Sequence, residues 1–346
     1  MADNIIISEQ RARDWATAIL AKVGVTGQYA AYVSDCLVHS NLRGVDTHGL
    51  VRLTAYAAKM QHIQVGGVKV VRESETTCVI DAGSQLGPIG GSIAMEKAIE
   101  MAKAHGMGLA VVRKSNHYGT AAYYAMKAAE QGLLGISLTN ASPRIAPWGS
   151  VEAIIGNNPW SIAIPGAGFP VVLDMANTVV ANGKIRTCLR EGKPLPDGWA
   201  MDKFGNPTND PLAAQDGLLM PIGGYKGVGI ATMVDILCSV LSGGAFSKDV
   251  ARIDDPYHPT GACHFFIAVD IARLISPEAL RERMAEYVAM FKGVRLKEGT
   301  KEVFLPGEIE WRIEQDRRKN GIPLSVKTIG ELNALADRLD VAHIDA

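Results

Sequence analysis

The sequence predicts an α/β protein with a separate, mainly helical unit. Three observations lead there. From Val68 onward, short apolar runs rich in β-branched residues alternate with Ala-rich helical stretches. Before Val68, apolar residues recur at helical spacing, and the first sixty residues read as a helical unit. The 346 residues leave room for about two domains of ordinary size.

In chain order, Ser8 caps a helix to about Val23, with Ala12, Trp15, Ala16, Ile19 and Leu20 in one stripe. A second helix runs roughly from Gly27 to Leu42, and a third covers Leu50 to Gln61, with Asp46 as the N-cap before it. Gly66-Gly67 closes this unit. Val68–Arg72 and Thr77–Ile80 read as strands, Ser92–His105 as a helix, and Leu109–Val112 as a strand. Thr120–Gln131 is a helix ended by Gly132, followed by strands at Leu133–Leu138, Ser161–Ile164 and Val171–Asp174. Residues 192–216, crowded with Pro, Gly, Asn and Asp, read as a surface excursion. Gly227–Leu241 reads as a buried helix, His264–Val269 as a strand, and Ser276-Pro277-Glu278 starts a helix to about Phe291. Two more helices cover Ile309–Lys319 and Thr328–Leu339.

Composition excludes several classes. A net charge of −1 gives no electrostatic reason to bind nucleic acid or an anionic membrane surface. Five dispersed cysteines without a C-x-x-C pair suit reduced thiols in a cytoplasmic protein. Met1-Ala2-Asp3-Asn4 lacks the basic start of a signal peptide. The histidines and cysteines show no ligand spacing, so no metal is expected. Neither G-x-G-x-x-G nor a Walker loop is present.

Two histidine segments carry the chemistry. In Asp46-Thr47-His48-Gly49 with Arg52, the N-cap reading puts His48 in the first helical turn, with Arg52 on the same face. There the dipole disfavours imidazolium. Arg52 would fork onto a carboxylate while His48 passes a proton to a neighbouring oxygen. An ordinary surface pair one turn apart is the plain alternative. His117, in Lys114-Ser115-Asn116-His117-Tyr118-Gly119, lies between a strand and a helix, as either a proton carrier or a structural hydrogen-bonding group. If both loops lie at one end of the sheet, His117 and Asn140–Ser142 share a pocket. Lys226 among glycines at a helix start suits an anion or is simply solvated, and Lys184 and Arg186 are weaker candidates of the same kind. Asp235 needs a partner if buried. A non-catalytic small-anion binding protein would use Arg52 and Lys226 without either histidine.

Taken together, Asp46-Thr47-His48-Gly49…Arg52, Ser115-Asn116-His117-Tyr118-Gly119, Asn140…Pro147-Trp148-Gly149, Gly156-Asn157-Asn158-Pro159, Leu173-Asp174-Met175-Ala176, Gly183-Lys184, Gly223…Lys226-Gly227 and Pro306-Gly307-Glu308 occur in this order over most of the chain. This resembles the type-2 malate/L-lactate dehydrogenase family, which also holds ureidoglycolate, sulfolactate and diketogulonate enzymes and a cyclic-imine reductase. The resemblance implies a homodimer that binds NAD or NADP on a non-Rossmann α/β domain (residues 66–308). Residues 1–65 with about 309–346 would form the helical domain. It implies hydride transfer to or from a small 2-oxo or 2-hydroxy acid. His48 or His117 would be the acid/base, with Thr47 beside it and Arg52 clamping the carboxylate. Asn157 would meet substrate. His117, Ser142, Asp174, Met175, Ala176, Lys226, Gly227, Pro306, Gly307 and Glu308 would line the cofactor. Two departures bear on substrate. Thr47 stands where Ser is frequent, and Lys184 where the imine branch has an acid, which favours an oxo acid over an imine.

Overall fold

The computed structural model describes residues 4–345, so the start read at Met1–Asp3 lies outside the described residues. β1 (Asn4–Ile7) leads into α1 (Glu9–Lys22), where the Ser8 side chain accepts the Arg11 N–H and the expected apolar stripe is buried. α2 (Gly27–Leu42) follows. The third helix departs from expectation. Asp46–His48 and Leu50–Arg52 are two separate 3-10 turns, and α3 begins only at Leu53 and runs to His62.

β2 (Lys69–Glu73), β3 (Thr77–Asp81), α4 (Gly87–His105), β4 (Met107–Ser115), α5 (Ala121–Ala129) and β5 (Leu133–Thr139) follow in alternation. α4 starts five residues before the expected Ser92, because Pro88 occupies its first turn. A ribbon of β6 (Pro143–Ile145) and β7 (Ile155–Gly156) precedes β8 (Trp160–Ile164) and β9 (Val171–Met175). The excursion is more ordered than its composition suggests. With the flanking α6 (Asn182–Glu191) and β12 (Leu218–Leu219), its β10 (Ala200–Met201), β11 (Pro207–Thr208) and α7 (Pro211–Gln215) close around Val180, Ile185, Leu195, Ala200, Ala214 and Leu219.

α8 (Tyr225–Asp235) passes into a π-helical turn at Ile236–Val240. The reading of this stretch as a buried helix is corrected, since Ile230, Met233, Ile236, Val240 and Leu241 are exposed. β13 (Ala262–Asp270), α9 (Pro277–Lys292), α10 (Glu308–Asn320), β14 (Ile322–Ser325) and α11 (Val326–Leu339) complete the chain. β14 pairs with β1, and Ile322, Leu324, Ile329, Leu332 and Leu335 share one core with the apolar faces of α1 and α2.

The central sheet has the order β2-β3-β4-β13-β5-β8-β9. Only β3 and β4 are parallel neighbours, and every other pair is antiparallel. β4, β5 and β9 therefore run in the same direction, and β13 and β8 run against them. The carboxyl ends of β4, β5 and β9 and the amino ends of β8 and β13 thus meet at one end of the sheet. Ser115–Gly119, Asn140–Ser142, Asn157–Asn158 and Asp174–Ala176 all leave from that end.

Candidate active site

The two loops are locked together by His264 at the start of β13. Its Nε2 lies 2.8 Å from Ser115 Oγ and its Nδ1 2.8 Å from Thr139 Oγ1, so one buried imidazole ties the ends of β4 and β5. The ring stacks on Tyr118, centroids 4.5 Å apart, and Tyr118 stacks on Tyr124. Asn140 donates to Asp235 at 3.2 Å and to the Ala245 carbonyl at 2.9 Å, and accepts the Cys263 N–H at 2.8 Å. Asp235 thereby has the partner that its burial demands.

His117 and His48 face each other. Their ring centroids are 5.6 Å apart with planes 28° from parallel. Tyr56, on α3, brings its hydroxyl to 2.8 Å from His117 Nδ1 and 3.2 Å from the His117 carbonyl. With the single Tyr56 proton on the carbonyl, Nδ1–H donates to Tyr56 and Nε2 keeps a free lone pair; this arrangement forgoes only the long 3.4 Å approach of the Gly119 N–H. Thr47 Oγ1 lies 3.0 Å from His48 Nδ1. Burial, then the neighbouring Arg52, lowers His48 to about 4. Burial, then His48, Arg52 and His264, holds His117 well below the ordinary imidazole value. Both rings are neutral at neutral pH.

The helix-dipole account of His48 is corrected. Asp46 makes no capping bond; its carboxylate takes Arg317 in a fork (2.7 and 3.1 Å) and Asn41 Nδ2 at 2.6 Å. Asn41 Oδ1 accepts the Leu50 N–H at 2.8 Å, which holds the bend between the two 3-10 turns. His48 and Arg52 are brought near each other by this brace and not by helical spacing. Arg52 Nε donates to the Thr47 carbonyl at 2.6 Å, and its terminal nitrogens have no hydrogen-bond partner among the described residues. A cavity of about 480 Å³ opens on the Thr47 and Arg52 side, bounded also by Asn41, Asp46 and Arg317.

The other expected positions divide into two groups. Ser142 and Asn157 are half-buried at the shared sheet end, and their side chains make no hydrogen bond among the described residues. Asp174 is exposed by area, yet protein crowds it enough that burial raises its carboxyl to about 6, against the Ala122 N–H that it accepts at 2.9 Å. Through that bond it caps α5, the helix following His117. Met175 and Ala176 continue from it. Pro306 and Gly307 lie against β9: the Val172 N–H donates to the Pro306 carbonyl at 3.0 Å, and a Cβ on Gly307 would meet Val172 at 2.8 Å. Glu308 spends its carboxylate within the chain, on Lys292 (2.7 Å), Arg312 (2.6 Å) and the Leu305 N–H (3.1 Å). Lys226 is exposed, and Gly227 is forced by the Ile222 carbonyl, which a Cβ would approach to 2.2 Å. Lys184 is exposed on α6. Tyr56, Asn41 and Arg317 escaped the sequence reading, since an aromatic on a helix or a lone Arg carries no local signal. Among the described residues no cluster suits a metal ion, and no helix is long and apolar enough to cross a membrane.

Two neutral imidazoles beside a half-free guanidinium suit an enzyme that moves a proton on a small organic acid. Known proteins narrow that class. The malate/L-lactate dehydrogenase family matches residues 7–333. Malate dehydrogenase of Pyrococcus horikoshii is 38% identical, over 97% of this chain and 96% of that protein. Ureidoglycolate dehydrogenase (NAD(+)) of Escherichia coli O157:H7 is 31% identical over 84% of each. The solved structure of sulfolactate dehydrogenase from Methanocaldococcus jannaschii superposes with a TM-score of 0.91 at 32% identity, over 99% of both chains. The chain belongs to the malate/L-lactate dehydrogenase family. It is an NAD(P)-dependent dehydrogenase of 2-hydroxy acids, not a non-catalytic anion binder. Half-buried Ser142 and Asn157, whose side chains have no hydrogen-bond partner among the described residues, lie at the same sheet end as Asp174 and fit a polar nicotinamide cofactor.

Proposed function

We propose that the protein interconverts a small 2-oxo acid and its 2-hydroxy acid, of the malate or lactate type, with His117 as acid/base and Arg52 as the carboxylate clamp. The observation that carries this is the Tyr56–His117 contact: both rings have a hydroxyl on Nδ1, but that of His117 comes from a fully buried tyrosine on another element, at 2.8 Å, whereas that of His48 comes from its exposed chain neighbour Thr47. The nicotinamide supplies or takes up the hydride when bound. In oxidation His117 Nε2 takes the proton of the C2 hydroxyl, while Nδ1–H is held by Tyr56. Arg52 orients the carboxylate through its free nitrogens, and pairing with that carboxylate removes one of the charges that depress both histidines. His48, with Thr47 on its Nδ1, lines the opposite wall of the same gap and steers the C2 oxygen. Orientation of the reactants is where most of the rate gain lies.

Ser142, Asn157, Asp174–Ala176, Pro306 and Gly307 are the groups we assign to the cofactor and to the substrate side next to it. Lys226 and Glu308 have weaker claims, the first being solvated and the second already paired. The exposed Lys184 offers no acid for imine reduction, which keeps the oxo-acid reading ahead of the cyclic-imine one; ureidoglycolate is the other alternative. A second copy of the chain would cover Ile230, Met233, Ile236, Val240 and Leu241, giving a homodimer measurable as twice the 36.9 kDa chain mass in solution. Five free thiols agree with a reducing cytoplasm.

The test is nicotinamide absorbance against time, with NADH and NADPH in parallel, over pyruvate, oxaloacetate, a sulfonated oxo acid and a cyclic imine. Rapid oxidation with a linear oxo acid is the expected result. Activity with the imine alone would overturn the reading.

A further inference from the structure

The chain on both sides of His117 is held by one buried ring. β4 carries one residue more than β13 between the pairs Ala262–Ser115 and His264–Val112, which makes a bulge in the sheet. Lys114 lies inside it with φ +50°, a left-handed conformation that a residue with a side chain keeps only where its surroundings impose it. Ser115, the next residue, is fully buried and sets its hydroxyl on His264 Nε2 at 2.8 Å. Tyr118, one residue beyond His117, lies face to face with the same imidazole, centroids 4.5 Å apart and planes 13° from parallel. Between them Asn116 is spent on the scaffold. It donates to the carbonyls of Ser84 (2.7 Å) and Gln85 (3.0 Å) and accepts the Thr260 N–H at 2.7 Å. The loop rests on α4, where a Cβ at Gly87 would come within 2.4 Å of the Asn116 and His117 carbonyl oxygens.

The hydrogen bonds give His264 a direction. Thr139 Oγ1 has two carbonyl acceptors of its own, Asn140 at 2.9 Å and Cys263 at 3.1 Å, so its proton goes there and its lone pair takes His264 Nδ1–H. Nε2 is then the acceptor for the Ser115 hydroxyl. The opposite tautomer would take Thr139 off those carbonyls and leave the Ser115 proton only the Asn116 carbonyl at 3.5 Å. Removing the ring nitrogens therefore leaves the Thr139 proton satisfied and Ser115 without a good partner. The loss falls on the His117 side and not on the Asn140–Ser142 side.

We propose that His264 is a positioning residue for proton transfer, acting through Ser115 and Tyr118 to hold His117 in register with the C2 oxygen of the substrate. This rests on the reading of His117 as acid/base. His264 itself touches neither substrate nor cofactor, since both its nitrogens are engaged within the chain and its ring is fully buried.

The experiment measures kcat for the 2-oxo acid that wild type reduces fastest, NADH affinity by fluorescence titration, and the urea midpoint. His264→Phe keeps the stack on Tyr118 and loses both hydrogen bonds. His264→Gln puts an amide near the Nε2 position and keeps a partner for Ser115; His264→Asn puts it near Nδ1 and serves Thr139 instead. His264→Phe and His264→Asn are expected to lose about ten- to a hundredfold in kcat, with NADH affinity within about threefold of wild type, and His264→Gln to recover part of that loss. In a His117→Ala background, His264→Phe should lower kcat no further, because no imidazole is left to place. A fall by the same factor in that background overturns the proposal, and so do equal losses in His264→Gln and His264→Asn. A kcat within about twofold of wild type in His264→Phe, with a lowered urea midpoint, assigns the ring to packing and also overturns it. If His117→Ala alone keeps wild-type kcat, the acid/base reading falls and takes the proposal with it, an outcome that the single variant sets apart from the others. If His264→Phe does not fold, the comparison of His264→Gln with His264→Asn carries the test.

Discussion

The hydroxyl of Tyr56 lies 2.8 Å from Nδ1 of His117, and that contact decides which nitrogen of the ring faces the cleft. Tyr56 is fully buried, so Phe fills its place without a void. Tyr56→Phe is expected to lower kcat between about tenfold and a hundredfold through loss of tautomer control. Stopped-flow turnover with NADH checks it; a kcat within twofold of wild type would assign Tyr56 to packing alone.

Arg52→Lys keeps the charge but loses the planar fork. The KM for the oxo acid should rise at least tenfold, with the KM for cofactor moving far less, since the terminal nitrogens of Arg52 are the ones left unpaired. An unchanged KM for the oxo acid removes Arg52 from the clamp role.

The bend at Gly49 is a packing requirement. A Cβ there would meet Asn41 Oδ1 at 2.1 Å, where that oxygen accepts the Leu50 N–H. Gly49→Ala should therefore displace the Asn41 brace, cost about 2 kcal/mol, and weaken oxo-acid binding through Arg52. Urea unfolding and the KM together test this, and a variant of wild-type stability would contradict it.

Sign and position of the pH dependence follow from neutral imidazoles. In the oxidation direction the neutral ring is the active form, so activity is lost as pH falls. For kcat/KM, which reports the free enzyme, that limb should lie below 6.5, because burial lowers His48 to about 4 and holds His117 well down. In the kcat profile the limb should move upward, because a bound carboxylate neutralises Arg52. A kcat/KM limb above neutrality would contradict this.

Folding stability carries a related signature. Burial lowers His39 to about 4, both its ring nitrogens having no hydrogen-bond partner among the described residues, and His264 to about 3. The unfolded chain binds these protons below about 6.5 while the folded chain refuses them, so stability is complete above that pH and falls as pH drops toward 4. His39→Phe, which keeps the edge contact with Tyr123, should flatten that fall in a urea series. A slope as steep as wild type's would mean His39 does not titrate in this window.

Much of this was legible in the sequence because it was local. The β-branched run before Ser115 and the Ala-rich stretch after Thr120 placed His117 between a strand and a helix. What failed was long-range. Asp46 before an apolar run has the pattern of an N-cap, but its partner is Arg317, 271 residues away. Tyr56 reads as core on α3 until His117 is seen above it. α6 was missed because it is polar and packs on a small core of its own around Ile185. Apolar content marked Gly227–Leu241 as buried, although much of that face meets solvent. Strand order alone, which the sequence does not carry, brings Asn157 and Asp174 to the His117 end of the sheet.

The most direct test of the account is turnover of His117→Ala and His48→Ala, with NADH affinity measured on the same preparations. His117→Ala should lose at least a hundredfold in kcat with cofactor binding largely intact, and His48→Ala should lose less. If His48→Ala is the dead enzyme and His117→Ala turns over, the two roles are exchanged. If both variants keep kcat within threefold of wild type, neither imidazole moves the proton and the proposed chemistry is wrong.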